Sequence, residues 1–411
     1  MAIVKPFKCT RPNEKLVSRV AALPYDVYNR QEAKVEVEKE NLSFLKIDRA
    51  ETQFDDSIDT YDEKVYQKAK EMLLDMINDG TFILDDEKAY YIYELTMDGR
   101  SQTGIVACAS IDDYQNEIIK KHEKTRSDKE IDRITHVDTL SAQTGPIFLA
   151  YRANDIINAE ILKAKKKSPI YDFTSSDNIK HTVWKITHET SVSNIEKAFC
   201  SINALYIADG HHRAASAVKV GLKRRKKYPN YTGLEEFNYF LSVLFPDKEL
   251  MIMDYNRVIK DLNGKTTEEF INEVSKNFIV EEVGKPYKPL EKATFGMLLN
   301  NRWYKLTTKV SVTNDPVESL DVSILQNYLL TPILGIGDPK KDKRIDFVGG
   351  IRGLLELERR CNLDMKVAFS MFPTSIKELF DVADASLLMP PKSTWFEPKL
   401  RSGIFIHRIE S

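Results

Sequence analysis

Apolar residues along this chain recur in two rhythms, and each predicts an element type. A period near 3.6 predicts helices over 31–41 and 61–78. In the second, Val65, Ala69, Met72, Leu73, Met76 and Ile77 form one apolar stripe, and Gly80 supplies the stop. The stripe is core packing. β-rich runs at 90–95 and 104–111 flank Asp98-Gly99, a hairpin signal. Strands follow at 145–151 and 181–186, with helices at 155–166 and 193–202. Leu205, Tyr206 and Ile207 read as a short buried strand. From His211 onward Ala214, Ala217, Val218 and Gly221 fall on one face of a helix.

The later half repeats the mixture. Strands are expected at 239–245 and 251–258, as a candidate hairpin, then a helix at 268–278. A second hairpin, 294–299 with 303–308, turns at Asn300-Asn301. Helices at 322–330, 353–360 and 375–382 are interleaved with strands at 344–348 and 365–371, and 403–409 is a closing strand. The pattern predicts a mixed α/β (α+β) fold. No repeat or long linker breaks it. Provisional boundaries fall near 115 and 250, giving regions 1–115, 116–250 and 251–411.

Composition narrows the class. With 411 residues, 42% apolar and 10% aromatic, the chain is long and apolar enough for a folded multidomain protein. A net charge of −2 argues against general nucleic-acid affinity. Cys9, Cys108, Cys200 and Cys361 lie far apart with no CxxC pair, so they read as reduced thiols. Residues 1–10 lack an apolar signal region and no run approaches a membrane span, so a cytoplasmic location is expected.

The densest candidate chemistry is Asp209-Gly-His-His-Arg213. A strand that meets a Gly and opens a helix can hold phosphate, because the first helical N–H groups lack partners and the helix dipole is positive there. Gly210 lets the backbone approach a ligand. Arg213 can grip phosphate with two parallel hydrogen bonds. His211 and His212 can donate, ligate metal or move protons. Asp209 could hold magnesium or accept a hydroxyl proton. The plainer alternative is a helix capped by Asp209 with two surface histidines.

Other segments carry two readings each. Asp26 sits in the rigid turn Leu23-Pro-Tyr-Asp-Val27, as a site group or a local cap. The charged stretch 117–138 is either a solvated helix laced with ion pairs or a lid. In the second case Arg126, Lys129 and Arg133, spaced i, i+3, i+7, face a phosphate. The basic run 223–227 suits a helix C-terminus, with nucleic acid as the lesser reading. The Gly-rich loop 335–338 lacks a dinucleotide or Walker spacing. Residues 389–401, with three prolines and many polar groups around Trp395 and Phe396, form either a rigid crossover or a substrate loop.

Gly210-His-His-Arg213 resembles the Gly-x-x-Arg phosphate motif of the ParB/sulfiredoxin superfamily. Free serine kinases of that superfamily carry it as Asp-Gly-His-His-Arg, as at 209–213 here. The whole chain also resembles a large prokaryotic family of unknown function. Leu23–Val27, His122-Glu-Lys-Thr-Arg126 with Lys129–Arg133, Ala208–Arg213 and Met389–Leu400 carry that likeness. The resemblance implies a ParB/sulfiredoxin-like core with added α/β elements at both ends. It also implies a kinase forming O-phosphoserine from free L-serine, with ATP or ADP as co-substrate and Mg2+ as cofactor.

Under that reading Gly210, His211, Arg213, Arg126, Lys129 and Arg133 bind phosphate or nucleotide. Asp209, Asp26 and His212 are the catalytic candidates, and Asp209 is the metal ligand. His122, Glu123, Lys392, Ser393, Thr394, Trp395 and Lys399 meet the substrate. The kinases place a catalytic Glu upstream of the motif. It finds no match here, so the general base stays open. Expected partners are the small-molecule substrate and the nucleotide, with neither nucleic acid nor membrane, and a homodimer is left open. A noncatalytic nucleotide-binding regulator and a ParB-like DNA-associated protein are the alternatives. ParB-like proteins follow the motif with a helix-turn-helix, whereas 228–260 here reads as strands. A sulfiredoxin-like reductase needs a Cys where His211 stands.

Overall fold

A strand covered on both faces reads as a near-continuous apolar run. Tyr239–Pro246 is buried along its whole length. It pairs in parallel with Ile147–Tyr151 and antiparallel with Arg100–Ser110. The computed structural model describes residues 1–125, 127–311 and 313–410, the side chains of 127–129 excepted. The chain folds as two units, Met1–Leu250 with Pro398–Ser411, and Met251–Glu397.

The first unit is built on a nine-stranded sheet. From one edge its strands are Ile119–Lys120, Leu205–Asp209, Ile147–Tyr151, Tyr239–Pro246, Arg100–Ser110, Tyr90–Met97, Lys180–Ile186 and Tyr171–Thr174. Val4–Lys5 pairs separately with Arg100–Ser110. The sheet therefore takes strands from both sides of residue 115. The helices Asp155–Lys165, Glu189–Cys200 and His211–Lys227 contribute Ile157, Ile161, Ile195, Phe199, Ala214, Ala217 and Val218 to the core against it. A four-stranded sheet joins Phe82–Leu84, Cys9–Pro12, Ile406–Arg408 and Ala142–Gln143. Beside it the Glu63–Asn78 helix buries Val65, Ala69, Met72, Leu73 and Met76 of its predicted stripe.

The second unit holds a six-stranded sheet in the order Phe278–Val283, Arg302–Thr308, Thr294–Leu299, Val367–Ser370, Tyr255–Ile259, Ile345–Gly349. Helix Gly353–Leu363 packs Leu357 against it.

Both predicted hairpins form. Asp98 and Gly99 have φ of 51° and 79°, and Asn300 and Asn301 have 48° and 59°, as a twisted two-residue turn requires. The candidate hairpin at 239–258 does not. Tyr239–Pro246 pairs within the nine-stranded sheet, while Tyr255–Ile259 pairs with Ile345–Gly349 and Val367–Ser370. The charged stretch 117–138 is not one helix either. Ile119–Lys120 is a strand, and the helix spans Ser127–Leu140. Sheet pairing at Ile119 overrides the local helical spacing.

Candidate functional site

The site grows from the Leu205–Asp209 strand. It is held in parallel by Ile119–Lys120 and antiparallel by Ile147–Tyr151, with an irregularity between Ile207 and Asp209. Such a break re-aims a side chain, and here it falls at Asp209. Gly210 follows with φ 93° and ψ 31°, a left-handed conformation that suits Gly. It is the N-cap of helix His211–Lys227. The cap has no side-chain hydrogen bond, and the first turn has no acidic residue. The positive end of the helix dipole therefore meets no acidic side chain in this first turn.

Asp209 is therefore not the cap. Its Oδ1 accepts the Gly210 N–H at 2.8 Å, one residue too early to close the helix. Its Oδ2 lies 3.4 Å from Lys399 Nζ and 3.9 Å from Arg213 Nη2. Burial opposes ionisation of Asp209, but Lys399 and Arg213 together outweigh it and hold the carboxyl well below the usual range. Arg213 also donates from Nη1 to the Pro146 carbonyl at 2.7 Å. Its guanidinium lies along Gly210, where a Cβ would come within 3.1 Å of Nε.

The two histidines that flank the turn are neutral. His211 is buried, and its ring meets His122 edge to face, with centroids 4.5 Å apart. Burial pushes His122 down to about 4, against the pull of Asp209. Burial and then His122 push His211 well below the usual histidine range. Among the described residues, His122 Nδ1 and His211 Nε2 are buried with no hydrogen-bond partner. The surface-histidine alternative thus fails for His211, while His212 is half-buried.

Beside Arg213 lies a cavity of about 30 Å³, lined among others by Tyr25, Asp48, Arg133, Thr144, Gly145 and Ser402. Arg133 is buried, stacks its guanidinium 4.1 Å over the Tyr25 ring and pairs with Asp132 at 2.9 Å. Burial pushes the Tyr25 hydroxyl up to about 12, with Arg133 pulling the other way. Tyr66 donates to Asp132 at 2.9 Å.

The predicted residues are thus only partly assembled. Asp209, Gly210, His211, Arg213, His122 and Lys399 meet at one turn, and Arg133 lines the cavity that Arg213 also lines. Arg126 and the Lys129 side chain lie outside the described residues, so the three-cation face at 126, 129 and 133 has only Arg133 to report. Asp26 is exposed in the short turn Tyr25–Val27, and its neighbour Tyr25 is the group that reaches the cavity. Glu123 is half-buried in the loop after Ile119–Lys120. Lys392, Ser393, Thr394 and Trp395 belong to the second unit. There Ser393 Oγ donates to the Pro390 carbonyl at 2.7 Å, and Trp395 packs edge-on against Tyr255. The Lys392 ammonium lies 5.5 Å from the Tyr255 ring centroid. Sequence reasoning missed Tyr25, Pro146 and Ser402. Tyr25 stands beside the charged Asp26 in the rigid turn Leu23–Val27, and its aromatic ring carries no charge signal in the sequence.

The basic run after the motif is structural in part. Lys223 and Arg224 pair with Asp138, and Arg225 grips Asp112 with two bonds of 2.6 and 2.8 Å. Among the described residues no group of three or more His, Cys, Asp or Glu could hold a metal ion. The carboxylate at the turn already faces two cations, so the residues present do not fit a resident magnesium. No helix among the described residues is long and apolar enough to cross a membrane.

Fold and site together define a mixed α/β protein with a helix N-terminus at the end of an inner strand, beside Arg213 and Lys399. The chain belongs to the family described as "Protein of unknown function (DUF1015)", whose profile matches residues 4–323. No curated protein matches the sequence. A solved free serine kinase in complex with AMP is similar at 13% identity, covering 71% of this chain and 86% of that chain, with a TM-score of 0.33. SbnI with a C-terminal truncation, from Staphylococcus aureus, is similar at 10% identity over 71% of this chain and 82% of that one, with a TM-score of 0.37. A conserved hypothetical protein from Pyrococcus furiosus shares 14% identity over 74% of this chain and 94% of that one, with a TM-score of 0.34. Scores this low transfer neither a fold nor a residue role.

Proposed function

We propose that the protein is a small-molecule phosphotransferase, and most concretely a kinase that converts free L-serine to O-phosphoserine with ATP or ADP. The observation that carries this reading is the uncapped start of helix His211–Lys227 at Gly210, with Arg213 and Lys399 beside it. Substrate and donor come from the resemblance of Asp209–Arg213 to the serine-kinase motif, and the core over 116–250 is proposed to be ParB/sulfiredoxin-like on the same ground.

In the reaction the serine hydroxyl oxygen attacks the terminal phosphorus of the nucleotide. The bond from that phosphorus to its bridging oxygen breaks, and the shortened nucleotide leaves with the electron pair. The hydroxyl proton passes to a side-chain base. Catalysis of this kind is mostly positioning and charge neutralisation. The helix N–H groups and Arg213 hold the phosphates, with Lys399 as a third source of positive charge. Asp209 is ionised and so available to orient the hydroxyl or take its proton, with His212 and Asp26 as the other candidates. Magnesium would have to arrive on the nucleotide phosphates.

The test is incubation of the full chain with L-serine, magnesium and ATP or ADP, followed by mass spectrometry. O-phosphoserine formed by the wild type and lost in Arg213→Lys supports the reading. Nucleotide binding with no phosphorylated product from serine, threonine or other small alcohols would convert it to a noncatalytic nucleotide-binding role.

A further inference from the structure

The second unit contains a buried charge that the proposed kinase chemistry does not use. Arg257 lies on the strand Tyr255–Ile259 and is 4% exposed. Its guanidinium donates to two backbone carbonyls, those of Tyr255 and Lys392. It lies 5.5 Å from the ring centroid of Phe347, its register partner on Ile345–Gly349. Among the described residues no carboxylate pairs with it, and burial lowers its pKa to about 10. Two carbonyl dipoles satisfy two of its five N–H donors and leave the charge unneutralised. A buried cation of this kind is costly to the fold unless something anionic meets it.

Arg257 lines a cavity of about 260 Å³. That lies just under the usual range for drug-sized ligands, roughly 300–1,000 Å³, so a nucleotide is too large and a small metabolite fits. Phe347, Ile345, Val322 and three prolines, Pro339, Pro390 and Pro391, give it apolar walls, Gln326 adds an uncharged polar group, and Asp338 is its one carboxylate among the described residues. Asp338 is exposed and pairs loosely with Lys341 at 3.7 Å. The cavity therefore offers a buried cation, a solvent-side carboxylate and an apolar lining between them.

We infer that this cavity in the second unit binds a small apolar α-amino acid, with its carboxylate on Arg257, its ammonium toward Asp338 and its side chain against Phe347, Pro390 and Pro391. Guanidinium and carboxylate match in geometry, and the pairing is strong in a desolvated site. The apolar walls favour leucine- or phenylalanine-like side chains over polar ones. The cavity is built from second-unit residues alone and shares no residue with the turn at Gly210, so its occupant would be an effector or sensed metabolite, whatever the reaction at the other site.

Calorimetry on the full chain tests this with L-leucine and L-phenylalanine as probes. 4-Methylvalerate (the leucine skeleton without its ammonium) and inorganic phosphate serve as controls. Either amino acid should bind the wild type at millimolar concentration or below. Binding should weaken by more than about tenfold in Arg257→Met, the equivalent of one charged hydrogen bond, and persist in Arg213→Lys. Gly337→Leu is a second variant that leaves Arg257 in place. Gly337 lines the cavity, a Cβ there meets nothing within 4 Å, and the residue is not in the left-handed region. It should also block binding, and it decides the matter if Arg257→Met does not fold. The inference is overturned if neither amino acid binds, or if binding survives in Gly337→Leu. It is equally overturned if 4-methylvalerate or phosphate binds as tightly as the amino acid, or if Arg213→Lys abolishes binding while Arg257→Met does not.

Discussion

Replacing Asp209 with Asn removes one negative charge from between two cations and changes little else in size. Lys399 Nζ is 3.4 Å from the carboxylate, and unit charges at that distance attract by roughly 5 kcal/mol at an effective dielectric of about 20. The Asp209 side chain is 36% exposed, so solvent screens most of this, leaving on the order of 1 kcal/mol for each of its two pairs. Asp209→Asn is thus expected to lower unfolding free energy by about 1–2 kcal/mol. The Gly210 N–H keeps an acceptor in the Asn side-chain oxygen. Lys399 and Arg213, relieved of their carboxylate, should hold an incoming phosphate more tightly, by up to about fivefold if half of that attraction is transferred. Turnover should move the other way, falling by about 10²-fold or more if Asp209 orients or deprotonates the hydroxyl. The assays are denaturant unfolding, calorimetric titration with ADP, and O-phosphoserine formation by mass spectrometry. Tighter nucleotide binding with lost turnover supports the proposed role. Weaker nucleotide binding with unchanged turnover would refute the electrostatic reasoning, because it would mean that Asp209 supports the phosphates instead of competing with them.

Arg213→Lys should weaken nucleotide binding by about 10- to 150-fold, the equivalent of roughly 1.5–3 kcal/mol. An unchanged titration beside a lowered melting temperature would make Arg213 structural, acting through Pro146. Gly210→Ala should cost about 1–2 kcal/mol for a left-handed L-residue. Its Cβ would also push the guanidinium from 3.1 Å away, so nucleotide affinity should fall with stability. Wild-type stability with unchanged affinity would contradict the observed turn. His122 and His136, each pushed down to about 4 by burial from an ordinary 6.5, are neutral in the fold and protonate more readily once unfolded. Their contribution is complete above pH 6.5 and is lost as pH falls toward 4. Unfolding between those limits should take up about one proton for each, seen as a rising stability with pH. A flat stability profile across that window would count against their neutrality.

What the sequence made legible follows the range of each signal. Asp98-Gly99 and Asn300-Asn301 are complete turn instructions in two residues, and both hairpins form where they stand. Helix His211–Lys227 and its strand could be read because burial, the Gly and the helical face are all encoded within 25 residues. Pairing across long separations was not legible. Lys399 and Asp209 were each singled out, but nothing in their spacing announces an ion pair across 190 residues. Residues Ile406–Arg408 read as a closing strand, yet its partners Cys9–Pro12 and Ala142–Gln143 come from the far end and the middle of the chain. The Gly-rich loop 335–338 matches no nucleotide signature in the sequence. Gly337 and Asp338 instead line the Arg257 cavity, a role set by tertiary packing that no local motif describes.

The charge arrangement at the Gly210 turn separates two jobs that the sequence ran together. Asp-Gly-His-His-Arg reads as five groups around one phosphate, but His211 cannot supply positive charge. Burial and the edge-on His122 ring both oppose its protonation, and two imidazolium rings with centroids 4.5 Å apart would repel strongly in a buried site. Positive charge must come from Arg213, Lys399 and the helix end. What the histidine pair contributes is hydrogen bonding without charge. Among the described residues His122 Nδ1 and His211 Nε2 are buried without a partner, and each such group costs about 1–3 kcal/mol relative to a satisfied one. A fold that keeps two of them beside an uncapped helix start has polar groups that only a bound molecule or water can satisfy. A substrate oxygen would do so and gain from a ring nitrogen whose tautomer can adapt to it. Under the proposed function, recognition of the phosphate falls to the cations and the neutral rings meet the uncharged part of the substrate.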